Sequence, residues 1–177
     1  MRLRILACAL VIGALMVPMC PVPAWSSDSS NHTAAILSDL VTPLVIAGEL
    51  SLMAGGRRGK LEATQGAKAL AATAFATELL KLTVREKRPE GNSRDSFPSG
   101  HTSEAFAMAT VWSAYHPKQA WLAYTTAAAI GWSRVEQNKH TWKDVVAGAL
   151  LGHFIAKHFT NEHLYAGPGG LGVQYRF

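Results

Sequence analysis

The stretch KLTVREKRP places Lys81 and Arg88 seven residues apart. Seven residues are almost two helical turns, so both cations can project from one side of a helix that stops before Pro89 and clamp a single anion. Read alone, the pair is equally a solvated basic helix end, well placed against the macrodipole. A second stretch, SFPSGHT, makes a turn of Pro98, Ser99 and Gly100 ahead of an apolar run. At a helix start the backbone amides of Ser99, Gly100 and His101 point into one space and bind an anionic oxygen. Gly100 lets the backbone come close, and the Ser99 hydroxyl adds a donor. Alone, the same turn is an ordinary helix cap with a space-filling histidine. The third stretch, SRVEQNKHTWKD, carries Arg134, whose planar fork of donors suits phosphate. His140 and Asp144 follow, four residues apart. If a helix begins near His140, the carboxylate lies on the imidazole's face, accepts the Nδ1 proton and leaves Nε2 as a nucleophile.

Cations from three segments, a nest of amides and two histidines are what phosphoryl transfer from an ester needs. The cations neutralise the equatorial oxygens, one histidine attacks in line, and the other protonates the leaving alkoxide. The chain lacks the carboxylate-rich cluster that Mg²⁺ or a paired-metal site calls for, so neither metal nor cofactor is expected.

The three stretches match K-x6-RP, PSGH and SR-x5-H-x3-D with every spacing met, in order, over residues 81–144. On these motifs the chain resembles the type 2 phosphatidic acid phosphatase superfamily, which includes bacterial class A acid phosphatases and vanadium haloperoxidases. The resemblance implies a helical bundle over residues 36–160. It also implies that His140 is the nucleophile that becomes phosphohistidine, that Asp144 orients it, and that His101 is general acid and then base for water. Lys81, Arg88, Ser99, Gly100 and Arg134 would hold the phosphate of a phosphorylated lipid or small ester in the cell envelope. Two alternatives share these residues. One is a vanadate-dependent haloperoxidase with His140 ligating vanadate, disfavoured because so short a chain leaves little to build a halide and peroxide pocket. The other is a non-catalytic envelope protein that binds phospholipid and releases it unchanged.

Positioning falls to five apolar segments: 36–53, 67–84, 105–115, 120–132 and 145–159. They are rich in Ala and Leu and lack the β-branched alternation of strands, so the fold class is all-α, a bundle of about five to six helices. Polar breaks fall at 55–66, 85–100, 116–118 and 133–143. Asp39, Glu49, Lys68, Glu78 and Lys81 interrupt the first two segments, and the run from Gln119 to Ser133 falls short of the roughly 20 residues a membrane span requires. This pattern fits a compact periplasmic bundle better than a set of full spans, with helices apolar enough to dip into a bilayer. Gly148 and Gly152, four apart, permit close helix packing.

The ends read differently. Arg2 and Arg4 precede an uncharged apolar run to Met19, and Val22-Pro23-Ala24 offers a signal-peptidase site. Residues 1–24 are therefore expected to be a secretory signal, an uncleaved anchor being the alternative, and 25–35 a flexible polar lead-in. Cys8 and Cys20 lie in the leader, so the mature chain would have no disulfide. Losing Arg2 and Arg4 lowers the formal charge from +5 to +3. No long basic run or aromatic-interleaved basic stripe supports nucleic-acid binding. Residues 161–177 read as an appended extended tail. His32, His116, His153, His158 and His163 read as solvated or satisfied side chains, and Trp112, Trp121 and Trp132 as core or interfacial anchors.

Overall fold

A computed structural model describes residues 28–160, 162–167 and 170–175. The leader, its cleavage point and both cysteines lie outside the described residues. Six helices form the bundle: α1 (Asp28–Asp39), α2 (Val41–Met53), α3 (Gly56–Val84), α4 (Gly100–Tyr115), α5 (Ala120–Glu136) and α6 (Trp142–Thr160), with a 3₁₀ turn at Pro117–Gln119. The class is all-α, as expected. The first apolar segment makes two helices because Pro43 has no N–H for the Asp39 carbonyl and its ring crowds that turn, which breaks the helix at Leu40.

Three boundaries depart from the sequence reading. Helix α1 begins at Asp28, inside the expected lead-in, because Ala34 is fully buried and its carbonyl accepts from Gln137 Nε2 at 2.8 Å. Helix α3 runs through the expected break at 55–66, since Gly59, Ala63 and Gly66 are buried there and hold the helix against its neighbours. The tail is not one extended segment: β1 (Glu162–Gly167) pairs antiparallel with β2 (Gly170–Tyr175), from Glu162 opposite Tyr175 to Gly167 opposite Gly170.

Small residues build the core. Ala63, Ala69 and Ala156 pack with Ala107, Met108 and Val111 of α4, and Ala105 and Ala109 pack with Val41, Ala127 and Ile130. Many large apolar side chains point outward instead, among them Phe75 (72% exposed), Leu82 (74%) and Trp121 (69%). Small residues inside and large ones outside is the packing logic of helices surrounded by lipid. The stretch His32–Met53 is long and apolar enough to cross a membrane.

Helix α4 is central, packing on α2, α3, α5 and most extensively on α6. Gly148 and Gly152 bring α6 against α4, as expected: a Cβ on Gly152 would run into the Ser103 carbonyl and come within 3.0 Å of the Ala107 nitrogen. Helix propensity favours Gly152→Ala by about 1 kcal/mol. The obstruction is backbone and cannot swing aside, so the variant should lose about 1–3 kcal/mol of stability, read as a lower denaturation midpoint. An equal or raised midpoint would contradict this packing.

Candidate active site

The alternating path of the bundle gathers the C-terminal ends of α3 and α5 and the N-terminal ends of α4 and α6. These ends carry the three sequence motifs. Lys81, in the last turn of α3, sets Nζ so close to Gly100 that a Cβ there would lie 3.3 Å from it. Its Nζ also donates to Glu78 Oε1 at 2.7 Å.

Arg88 does not share a helix with Lys81, contrary to the sequence expectation. Helix α3 ends at Val84, and Arg85 is left-handed with φ 49°. Pro89 bars Arg88 from the helical region in any case. Arg88 instead sits in a loop folded on itself: its N–H donates to the Ser93 carbonyl at 3.0 Å and Nη2 to Asp95 Oδ2 at 2.8 Å. Arg134, at the end of α5, is 5% exposed and donates from Nη1 to Ser38 Oγ. Both guanidinium groups keep a buried Nε–H with no hydrogen-bond partner.

Ser99 is the extended N-cap residue of α4. Its hydroxyl accepts from Thr102 Oγ1 at 2.9 Å, and its own proton remains to be donated. The Ser99 amide, expected in the anion nest, is already committed to the Asp144 carbonyl at 3.0 Å. Gly100 and His101 occupy the first turn, where amides have no intrahelical acceptor, so the nest reduces to these two.

His140 precedes α6 and is 3% exposed. Its Nδ1 lies 2.8 Å from the Ser96 carbonyl and 3.9 Å from Asp144 Oδ2. The sequence suggested that Asp144 takes the Nδ1 proton; in the structure the Ser96 carbonyl is the near acceptor. A carbonyl only accepts, so it fixes the Nδ1–H tautomer and leaves the Nε2 lone pair free. Asp144, fully buried, acts one step back: Oδ2 accepts from Ser96 Oγ at 2.7 Å and from the Thr141 amide at 2.8 Å. The Thr141–Asp144 contact is the acidic half of a capping box at the start of α6.

Both imidazoles are held neutral at pH 7. Burial is the largest cause of the lowering of His140 to about 4, followed by the charges of Arg134 and Arg88, against the Ser96 carbonyl and Asp144. His101 falls to about 4 for burial first and then Arg134, Lys81 and Arg88, with Asp39 opposing. Arg134 and Arg88 act on both rings, so the motifs converge on one cationic environment.

Ser38, Asp39, Asp95, Ser96 and Thr141 also belong to this environment and were not among the sequence candidates. Ser96 adjoins a motif, but it acts through a backbone carbonyl, which residue type does not signal. From a distant helix Ser38 accepts from Arg134, and the charge of Asp39 acts on the same guanidinium. Among the described residues no group of three His, Cys, Asp or Glu side chains is placed to hold a metal ion. Outside the site, His153 Nδ1 bonds with Thr110 and Tyr124, and His116 stacks on Trp112 with ring centroids 4.2 Å apart.

The PAP2 superfamily model matches residues 64–167. No curated protein sequence matches the chain. Among solved structures, the first transmembrane PAP2-type phosphatidylglycerolphosphate phosphatase from Bacillus subtilis superposes with a TM-score of 0.62 at 21% identity, covering 76% of this chain and 78% of that one. LpxE from Aquifex aeolicus gives 0.58 at 24% identity, covering 85% and 93%. At these identities the likeness is one of fold.

A histidine at about 4 in the folded chain and about 6.5 when unfolded binds fewer protons folded than unfolded between those values, so its contribution to stability falls as pH drops through that window. For His140 the loss from pH 7 to pH 5 amounts to about 2 kcal/mol. His140→Gln should remove that share, leaving a shallower pH dependence of the unfolding midpoint. An unchanged slope would contradict a buried neutral His140.

Proposed function

The chain belongs to the PAP2 superfamily, and from that premise we propose that it is a metal-independent phosphatase acting on phosphomonoesters or diphosphates, with lipid phosphates of the cell envelope as substrates. The observation that carries the proposal is the pairing of two buried, unpartnered guanidinium Nε–H groups with an imidazole whose tautomer is fixed by the Ser96 carbonyl. More than nine-tenths of buried polar groups in native proteins are satisfied, and tetrahedral phosphate oxygens are suitable acceptors here.

Arg88, Arg134 and Lys81 neutralise the phosphoryl oxygens, with the Gly100 and His101 amides and the Ser99 hydroxyl completing the cradle. His140 Nε2 attacks phosphorus, the ester P–O bond breaks, and His101 gives its proton to the departing alkoxide. Water then attacks the phosphohistidine, His101 takes its proton, and the P–N bond breaks to release phosphate and neutral His140. Asp144 keeps Ser96 and the start of α6 in place and opposes the cations as charge develops on His140.

This mechanism requires a protonated His101, which burial and three cations oppose in the free protein. A phosphate dianion offsets those cations and raises the affinity of His101 for its proton. Substrate binding thus equips its own general acid.

Lipid as substrate is supported by the outward apolar side chains and by the crossing-length stretch His32–Met53, both of which suit a bundle set at a membrane. It is also supported by the likeness to the Bacillus subtilis protein, a transmembrane phosphatidylglycerolphosphate phosphatase. The leader expected from the sequence supports export to the envelope.

Purified protein should release phosphate in EDTA, and His140→Ala should lower kcat at least about 10³-fold without unfolding the chain. His101→Ala should lower kcat/KM, which reads the steps up to phosphohistidine formation and not the later attack of water, about 10²–10⁴-fold on an alkyl phosphate and markedly less on p-nitrophenyl phosphate, whose leaving group needs no proton. Wild-type turnover in His140→Ala, or equal losses on both esters in His101→Ala, would contradict the assigned roles.

A further inference from the structure

An apolar groove of about 370 Å³ opens between α2 and α5, with α4 as its floor. Small residues carve it: Ala105 and Ala109 on α4, Ala123 and Ala127 on α5, and Gly48 on α2. Helix α4 packs on both α2 and α5, whereas it is α1 that packs on α5, so α2 diverges from α5 and leaves the slot. Exposed Leu44, Ala47 and Leu122 form its rim.

One end of this groove is marked by Val41, Ala105 and Ile130. Each lies one helical turn from a residue of the cationic site: Val41 from Ser38, Ala105 from His101, and Ile130 from Arg134. A turn is about 5.4 Å, so groove and site adjoin without an intervening layer. From that end the groove follows α4 to Trp112 and α2 to Ser51, a length of about 10–15 Å at 1.5 Å per residue. An occupant holding its phosphate between Arg88 and Arg134 has an apolar, side-open channel for whatever its ester oxygen carries.

We infer that the groove holds a hydrocarbon chain of the substrate and sets chain-length preference by its depth. The inference rests on the phosphatase reading and adds to it the site that recognises the released alcohol. An alkyl chain entering through the side slot leaves water as its phosphate reaches the cations, so apolar burial is realised only when the headgroup is correctly placed.

The test uses the full chain and alkyl monophosphates from methyl to decyl, each below its aggregation concentration. For wild type, kcat/KM should rise by up to about fourfold per buried methylene and level off once the alkyl group outruns the groove. Long chains also partition into detergent, which steepens the profile for any variant alike. Ala109→Leu, placed mid-groove, separates the two causes: the decyl-to-methyl ratio should collapse and the plateau should arrive at a shorter chain. Ala123→Leu, on the less buried wall, repeats the test should Ala109→Leu fail to fold. A profile equally steep in wild type and variant, or flat in both, overturns the groove while leaving the phosphatase intact. Absence of phosphate release from every ester overturns the phosphatase reading, and the groove with it.

Discussion

A single buried carboxylate holds the candidate site together. Asp144 is fully buried, and its Oδ2 accepts from Ser96 Oγ and from the Thr141 amide while its backbone carbonyl accepts from the Ser99 amide. One residue thereby ties the loop before α4, the N-cap residue of α4 and the start of α6 to each other. The Ser96 carbonyl, held by this arrangement, is what faces His140 Nδ1. The burial of these contacts removes competition from water and strengthens each of them. The second carboxylate oxygen is buried without a partner, a cost that leaves Asp144 dependent on the two bonds it does make.

Around that anchor the site is short of acceptors. Arg134 is buried and Arg88 half-buried beside two neutral imidazoles, and of the cations the nearby acids Glu78 and Asp95 engage only Lys81 and one Arg88 nitrogen. Cations gathered with too few anions repel one another, and burial first, with these charges second, keeps the histidines unprotonated. A phosphate dianion relieves all three conditions together: it satisfies donors, separates like charges and favours the proton on His101. On the proposed reading, the imbalance that makes the free site costly is what favours binding of a phosphate dianion.

Much of this was legible in the sequence because spacing in a helix is spacing in space. Gly148 and Gly152 indicated close packing of α6, and the motifs named Lys81, Gly100, His101, Arg134, His140 and Asp144, which the fold gathers at one end of the bundle. What escaped was set by backbone geometry. Arg88 left its expected helical face because Arg85 turns left-handed. The Ser99 amide was spent on a carbonyl, and Asp144 yielded its place at Nδ1 to the Ser96 carbonyl. The helical content of residues 28–35 and 56–66 was hidden because polar and glycine-containing stretches read as breaks unless a buried face is known. Ser38 was invisible for the same reason: only the packing of α1 on α5 brings it to Arg134.

On the proposed reading, His140 Nε2 bonds to phosphorus because its other nitrogen is tied to the Ser96 carbonyl. Rapid quench of the enzyme during turnover of a phosphate ester, followed by mass spectrometry under mildly alkaline conditions that preserve phosphohistidine, tests it most directly. A phosphoryl group is expected on His140 and absent in His140→Ala. A phosphoryl group on His101 or another side chain, or turnover with no phosphorylated intermediate at any quench time, would contradict it.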